Sequence, residues 1–143
     1  MDRDKLKKLL ILHEGYKDKL YVDTVGIPTI GVGFNLDQPV PSIVIDFWLE
    51  IALAEHEKAL KIALPWVTKL DPIRYAVLVD MAYNLGIPRL LQFKQTLENV
   101  KRGDYGLAAS QMLQSKWATQ VKSRALRLSK MMSTGQEPPD LPA

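Results

Sequence analysis

Cysteine is absent from the 143-residue sequence, so neither a disulfide framework nor a thiolate metal site can form. Long apolar runs are absent too, and no stretch approaches the roughly 20 apolar residues that a membrane-spanning helix needs. The apolar run from Leu9 to Leu12 is too short for the hydrophobic region of a secretory signal peptide. We therefore expect a chain that stays in the cytoplasm of the cell that makes it unless another protein releases it.

Histidine is scarce, and the composition is otherwise that of a soluble globular domain, with 47% hydrophobic and 24% charged residues. His13 and His56 are far from other candidate ligands in the sequence, so no metal site is predicted. Gly31 and Gly33 lack the spacing and the following helix of a phosphate-binding loop. The sequence therefore predicts no cofactor.

Acidic residues are missing from one segment of an otherwise mildly basic chain. The net charge is +3, from 19 basic and 16 acidic residues. Between Lys116 and Met132 there are bases but no acid: Lys116, Lys122, Arg124, Arg127 and Lys130. Such a segment fits a polyanion, such as nucleic acid, an anionic membrane surface or an acidic wall polymer, or else is a solvated helix face. DNA binding would rest on charge alone.

The pattern of apolar residues predicts a short sheet between helices. Asp4 can cap a helix that ends at Glu14 and is stopped by Gly15. Residues 16–34 are rich in β-branched and aromatic residues broken by glycine, which predicts two or three antiparallel strands turning near Thr24 to Gly26. A long helix should follow from Ser42 to about residue 64.

The second half of the sequence predicts helices only. Asp71 and Pro72 start an apolar segment that runs to Gly86 and is predicted to be the central buried helix. Shorter helices are expected at about 88–91, 93–102 and 104–115, and a basic one at about 120–133. The Pro-rich segment 136–143 is predicted to be a disordered tail.

Glu14 stands at an unfavourable position for helix stability. A carboxylate in the last turn faces the negative end of the helix dipole, which costs on the order of 0.3–1 kcal/mol at an exposed site. The same field favours the protonated carboxyl that a general acid requires. Asp23 follows nine residues later, and two carboxyls beside a cleft are the minimal apparatus of a glycoside hydrolase. The alternative is a surface acid and an Asp that caps a turn.

The stretch HEGYKDKLYVDTVGIPTIGVG, residues 13–33, resembles the catalytic signature of the phage-type lysozymes, the muramidases of glycoside hydrolase family 24. The matching elements are Glu14-Gly15, Tyr21, Asp23-Thr24, Gly26 and the run from Thr29 to Gly33. RYAVLVDMAYNLG resembles the family's central helix, and SKWATQVKSRALRLSKMMSTG its C-terminal Trp, Gln, Arg and Thr-Gly pattern. The resemblance covers about residues 6–135.

The resemblance implies a lysozyme-like fold, α+β and mostly helical, with a small antiparallel sheet lobe and a helical C-terminal lobe around a cleft. Residues 1–135 would form one catalytic domain, with the sheet and connecting helix at about 14–60 and the helical lobe at 61–135 together with the N-terminal helix. The family is inverting. Glu14 would be the general acid, Asp23 would stabilise the oxocarbenium charge or orient water, and Thr29 would hold the nucleophilic water.

The resemblance also implies supporting residues. Gly31 and Gly33 would lie where the backbone approaches sugar, and Tyr83, Asn84 and Gln120 would bind substrate. Arg124 matches the arginine that pairs with the catalytic Glu in the family, which would favour the ionised carboxyl and so oppose the field of the helix end. Phe34 departs from the pattern, because the T-even phage enzyme has an ion-paired histidine there. The loop at about 35–41 is also shorter.

The expected function is that of an endolysin: hydrolysis of the bond between N-acetylmuramic acid and N-acetylglucosamine in peptidoglycan, by a monomer that reaches the wall through a holin-like lesion. One alternative is a cationic module whose basic C-terminal helix contacts anionic outer-membrane lipid, since Val121, Ala125, Leu128 and Met132 lie at helical spacing beside the bases. The same four residues would equally suit a helix packed on a core. An inactive wall-binding domain is a further alternative, against which the three catalytic-type residues argue.

Overall fold

The computed structural model describes residues 1–142 and divides into two compact units, one spanning Met1–Trp48 and one from Leu49 onward. The predicted fold class is confirmed: the protein is α+β, mostly helical, with one small antiparallel sheet. The expected placement of the N-terminal helix in the helical lobe, and the cleft between the lobes, concern both units together and stay predictions.

The first unit consists of one helix and three strands. Helix α1 spans Arg3–Glu14 and ends where the sequence predicts. Its N-cap is Asp2 rather than the predicted Asp4, because the Asp2 carboxylate accepts the Lys5 N–H at 2.8 Å, whereas Asp4 lies inside the first turn. The strands that follow are β1 (Lys17–Val22), β2 (Pro28–Gly31) and β3 (Phe34–Asn35).

The sheet has the order β1-β2-β3 with both pairings antiparallel, and its first turn lies at the predicted place. Thr29 in the central strand faces Tyr21 on one side and Asn35 on the other. It is also the only buried residue among residues 1–48. Backbone and turn hydrogen bonds, rather than an apolar core within this unit, therefore define the geometry of the sheet.

Helix α2 (Ser42–Ala63) runs from the first unit into the second, and a short 3₁₀ helix at Pro65–Lys69 follows it. The remaining helices are α3 (Pro72–Leu85), α4 (Ile87–Leu90), α5 (Lys94–Arg102), α6 (Tyr105–Gln114), α7 (Lys116–Val121) and α8 (Ser123–Thr134). Within the described residues, none of these helices combines the length and apolar character that crossing a membrane requires.

Helix α3 is the central buried helix, as predicted. Its start is capped by Asp71, whose carboxylate accepts the Arg74 N–H at 3.0 Å, and Pro72 occupies the first turn. Six of its side chains belong to the core: Val77, Leu78, Val79, Met81, Ala82 and Leu85. Helix α8 packs on α3 and α6, so the buried apolar surface of the second unit is continuous across these helices.

Arg74 joins the start of α3 to the end of α8. Its Nε donates to the Met132 carbonyl at 2.7 Å and its Nη2 to the Ser133 carbonyl at 3.1 Å. These carbonyls lie in the last turn of α8, where no further residue of the helix can satisfy them. The guanidinium also lies 3.7 Å from the centre of the Tyr105 ring, so a single cation fastens α3, α6 and α8 together.

The predicted basic helix at 120–133 is wrong in one respect, because it is divided into α7 and α8 at Lys122. Lys122 has φ 51° and ψ −108°, a conformation that no α-helix accommodates. Its N–H still bonds to the Ala118 carbonyl at 2.9 Å and closes α7, after which the chain restarts as α8. The bases are therefore divided, with Lys116 on α7, Lys122 at the break, and Arg124, Arg127 and Lys130 on α8.

The predicted disorder of 136–143 stays a prediction, and Ala143 lies outside the described residues. Residues 136–142 form neither helix nor strand. One of their side chains, Asp140, forms an ion pair with Arg127 of α8. The tail therefore has one specific attachment to the basic segment.

Tyr75 on α3 is expected to make folding sensitive to alkaline pH. Burial, and then the hydrogen bond and charge of Glu57, raise the pKa of Tyr75 from 10.0 to about 12, with the hydroxyl 2.7 Å from the Glu57 carboxylate. Because the folded pKa is higher, this stabilisation is complete below pH 10.0 and is lost as the pH rises through about 12. Urea unfolding over this pH range should show a free energy of unfolding that falls with pH in the wild type. The decrease of the free energy of unfolding with pH should be smaller in Tyr75→Phe. Equal decreases in the two proteins would contradict the role of Tyr75.

Candidate active site

Glu14 is the last residue of α1, and its carboxylate rests against Gly33. The chain leaves the helix at Gly15, which has φ 83°. A Cβ placed on Gly33 would lie 2.8 Å from Glu14 Oε2 and 3.3 Å from its Cδ. Gly33 also has φ 68°, which side-chain-bearing residues rarely adopt. The glycine therefore provides the space in which the carboxylate of Glu14 lies, although Glu14 is exposed.

Gly31 makes room for a side chain as well. With φ 68°, its added Cβ would lie 2.6 Å from Cδ2 of the Phe34 ring. Sequence reasoning attributes both glycines to a close approach of sugar, whereas the nearest atoms at both positions belong to the protein itself. Phe34, the departure from the family pattern, is 60% exposed and covers Gly31.

Asp23 organises the turn between β1 and β2. Its Oδ1 accepts the N–H groups of Val25 and Ile27, each at 2.9 Å. Its own N–H donates to the Ile27 carbonyl at 2.9 Å, and its carbonyl accepts from Gly26 at 3.1 Å. Within residues 1–142 its other oxygen, Oδ2, accepts no hydrogen bond, so one oxygen of the carboxylate fixes its orientation while the other remains available.

Thr29 is oriented by its own hydroxyl. The side chain is only 4% exposed, and Oγ1 donates to the Ile27 carbonyl at 2.8 Å. A hydroxyl has one hydrogen and two lone pairs. Because the hydrogen is directed to Ile27, the lone pairs of Oγ1 remain to accept a hydrogen bond, for example from a water molecule. Such an acceptor can orient water without carrying charge.

The backbone of Ile27 links Asp23 to Thr29, and sequence reasoning missed this link. Its N–H donates to Asp23 Oδ1, and its carbonyl accepts from both the Asp23 N–H and the Thr29 hydroxyl. The carboxylate of Asp23 and the hydroxyl of Thr29 are therefore held by the two polar groups of one residue. Main-chain groups are the same in every non-proline residue, so no pattern of side chains could have revealed the link.

In the second unit, Asn84 and Tyr83 lie near the end of α3. Asn84 Oδ1 accepts a hydrogen bond from the indole N–H of Trp117 at 2.8 Å. Because Trp117 is buried, this bond satisfies a donor that would otherwise have no partner. The ring of Tyr83 is 45% exposed and lies 4.8 Å from the His56 ring. The structure thus gives Asn84 a structural partner and leaves Tyr83 an exposed aromatic face. Their predicted contacts with substrate stay predictions.

Gln120 is exposed on α7 and lines a groove of about 350 Å³ within the second unit. Trp117 and Phe93, whose rings meet edge to face at 6.0 Å, line the same groove. Arg89 and Lys116 contribute cations to it. Through Trp117, the groove connects Gln120 with Asn84, two of the residues that the resemblance assigns to substrate binding.

Arg124 pairs with Asp80 in the second unit. Its Nε donates to Asp80 Oδ1 at 2.8 Å and its Nη2 to the Asp80 carbonyl at 3.3 Å. Sequence reasoning did not identify Asp80, although it lies one helical turn before Asn84 on α3. The predicted pairing of Arg124 with Glu14 would join the two units and stays a prediction. Asp80 already fixes the guanidinium on α3.

The apolar stripe of the basic segment belongs to the core. Ala125, Leu128 and Met132 are at most 3% exposed, and Val121 packs against the same cluster. Of the two readings of this stripe, packing on a core is therefore the one observed. Any contact of α8 with lipid would have to use its opposite face.

Comparison with known proteins identifies the family to which the chain belongs. The family model described as phage lysozyme matches residues 12–130. Two proteins of Dictyostelium discoideum named probable T4-type lysozymes 1 and 2 are each 26% identical over 160 residues, 91% of this chain and 94% of each relative. The pre-baseplate central spike protein Gp5 of Enterobacteria phage T4 is 27% identical over 163 residues, 91% of this chain but 28% of that protein. Because the family model matches most of its length, the chain belongs to the phage lysozyme family and is a hydrolase of the lysozyme type.

Proposed function

We propose that this protein hydrolyses the β-1,4 bond between N-acetylmuramic acid and N-acetylglucosamine in peptidoglycan, with inversion at the anomeric carbon. The observation that carries the proposal is the arrangement around Ile27, which holds a carboxylate oxygen and a hydroxyl acceptor in fixed relation. A carboxylate and a neutral water-binding group are what an inverting site needs on the face opposite the leaving group.

Glu14 acts as the general acid in this mechanism. It donates a proton to the glycosidic oxygen as the bond to the anomeric carbon breaks, and it remains as carboxylate when the alcohol leaves. It is the last residue of α1, so the turn at Gly15 directs the chain away from the carboxylate. The contact with Gly33 limits where its carboxylate can lie. The position of the proton donor is thus set by residues close to it in the sequence and in space.

Asp23 and Thr29 prepare the other reactant. Water hydrogen-bonds to the free acceptor of Thr29 Oγ1, and a lone pair of that water attacks the anomeric carbon. The available Oδ2 of Asp23 stabilises the positive charge that develops on the sugar ring and accepts the proton that the attacking water loses. Tyr83, Asn84 and Gln120 bind the glycan strand, and Arg124 supports Glu14.

The products of wall digestion test this proposal. Purified peptidoglycan freed of outer membrane is incubated with the protein, and new reducing ends are reduced with borohydride and identified. N-acetylmuramicitol is expected, whereas N-acetylglucosaminitol would contradict the assigned bond. Proton NMR of a fast reaction should show the α-anomer first, because inversion of a β bond yields it. Initial appearance of the β-anomer would refute the inverting mechanism.

The biological setting proposed is host-cell lysis. A phage-type lysozyme acting as an endolysin needs a lesion in the inner membrane, made by a holin-like protein, to reach the wall. In this setting the protein works as a monomer on glycan strands.

Contact with anionic lipid is a second candidate function, and one side chain favours it. Leu126 on α8 is 63% exposed, and it lies on the same face as Arg127 and Lys130. An apolar side chain beside cations suits the boundary between lipid headgroups and acyl chains. This contact does not depend on hydrolysis, so the two activities can be tested separately.

A further inference from the structure

The solvent-facing side of α8 carries cations around an exposed leucine. Leu126, Arg127 and Lys130, here called the outer face, lie opposite the buried Leu128 and Met132. The spacing of three and four residues places the three outer side chains on adjacent turns. The outer face is therefore a compact patch with two positive charges and one apolar side chain.

The tail residues 136–142 return over this patch. Arg127 Nε donates to both carboxylate oxygens of Asp140 at 3.1 Å, and its Nη2 also donates to Oδ2. A space of about 570 Å³ lies between tail and helix, with Lys130, Leu126 and the tail prolines Pro138 and Pro139 among its lining residues. The carboxylate of Asp140 thus stands where an anionic group bound to Arg127 would lie.

We propose that the tail is an internal competitor, which occupies the outer face of α8 until an anionic phospholipid surface displaces it. The inference rests on the lipid contact proposed above and adds its regulation. A lipid surface is favoured over a soluble polyanion because Leu126 has no use in binding a hydrophilic chain, but enters the apolar layer of a bilayer. The headgroup phosphates take the place of the Asp140 carboxylate on Arg127.

The strength of the tail contact suits displacement. The hydrogen bond and charge of Asp140 raise the pKa of Arg127, and the same contacts lower the pKa of Asp140, so both groups are fully charged at neutral pH. Both side chains are nevertheless substantially exposed, at 41% and 54%. Exposed ion pairs contribute little to stability, so a multivalent lipid surface can replace this one without unfolding α8.

Vesicles of equal parts phosphatidylglycerol and phosphatidylcholine provide the test, with binding followed by sedimentation at low ionic strength. Asp140→Asn should bind roughly three- to fivefold more tightly than the wild type, the scale of one exposed ion pair. Glu137→Gln is the matched control, since it removes the same charge from the same tail but forms no ion pair with an arginine among the described residues. It should have a clearly smaller effect. In a protein that already carries Arg127→Gln, the further change Asp140→Asn should not alter the affinity for vesicles.

Other results would overturn the proposal. Equal gains for Asp140→Asn and Glu137→Gln would mean that net charge, and not the covering of Arg127, sets the affinity. If Leu126→Ser leaves vesicle binding unchanged and Asp140→Asn improves binding of soluble polyphosphate equally, the partner is a polyanion rather than a lipid surface. Absence of vesicle binding by every variant would refute the lipid contact itself. None of these outcomes bears on hydrolysis, since the variants should release reducing ends from purified wall at the wild-type rate.

Discussion

Glu14→Gln is expected to lower the rate of glycan cleavage at least about a hundredfold, the scale of a lost general acid. Glutamine has the shape of protonated glutamate and fits the same space against Gly33, but its amide cannot donate a proton to the leaving oxygen. Because Glu14 is exposed and ends a helix, its replacement should not disturb packing. The melting temperature should stay the same or rise slightly, since a negative charge is removed from the C-terminal end of α1.

New reducing ends released from purified peptidoglycan measure this effect, with circular dichroism to confirm the fold. Glu50→Gln is the matched control, because Glu50 is exposed on α2 and plays no part in the proposed mechanism. It should retain wild-type activity. If Glu14→Gln retains activity within a fewfold of wild type, another group supplies the proton and the assignment of Glu14 fails.

Gly33→Ala is expected to reduce activity by roughly a hundredfold, because small displacements of a catalytic group carry penalties of that size. The new methyl group would lie 2.8 Å from Glu14 Oε2, so the carboxylate must move. The backbone at φ 68° adds strain of about 1 kcal/mol for a residue with a Cβ. The loss should appear mainly in kcat, since the proton donor is displaced while the remaining glycan contacts stay.

The effect of displacing the Glu14 carboxylate can be separated from that of backbone strain by substituting a second glycine. Gly103 has φ 84°, and no neighbouring atom of residues 1–142 lies within 4 Å of an added Cβ, so Gly103→Ala introduces strain without a collision. It should lower stability but leave specific activity intact. The double variant Glu14→Gln/Gly33→Ala should be no slower than Glu14→Gln, because the second change acts through a group already lost. Additive losses would show that Gly33 acts on something other than Glu14.

The sequence predicts most of the helices and the sheet because the signals are local. Asp71 and Pro72 mark the start of α3, and Gly15 stops α1 at Glu14. The choice between Asp2 and Asp4 as cap was wrong, since both residues are typical N-caps and only the hydrogen bond to Lys5 distinguishes them. The break at Lys122 was also missed, because a positive φ at a residue other than glycine leaves no mark in composition.

Side-chain contacts between residues that are far apart in the sequence could not be predicted from it. Arg124 and Asp80 are brought together by the packing of α8 on α3, and Asn84 and Trp117 by that of neighbouring helices. The pairing of Asp140 with Arg127 depends on the path of an irregular tail. Each of these contacts requires the arrangement of whole elements, whereas Glu14, Asp23 and Thr29 come from one contiguous stretch and were recognisable by resemblance.

Ile27 holds Asp23 and Thr29 through its main chain, so substitution of its side chain does not test this part of the site. An alanine scan replaces side chains and would leave its N–H and carbonyl in place, so position 27 would register only the loss of its packing. Among the encoded amino acids, only proline removes the N–H, and it also constrains the turn. Semisynthesis with an ester in place of this amide would remove the donor to Asp23 while it keeps the side chain and the carbonyl of Ile27. Backbone chemistry, rather than codon replacement, is the means by which this link between carboxylate and hydroxyl can be varied.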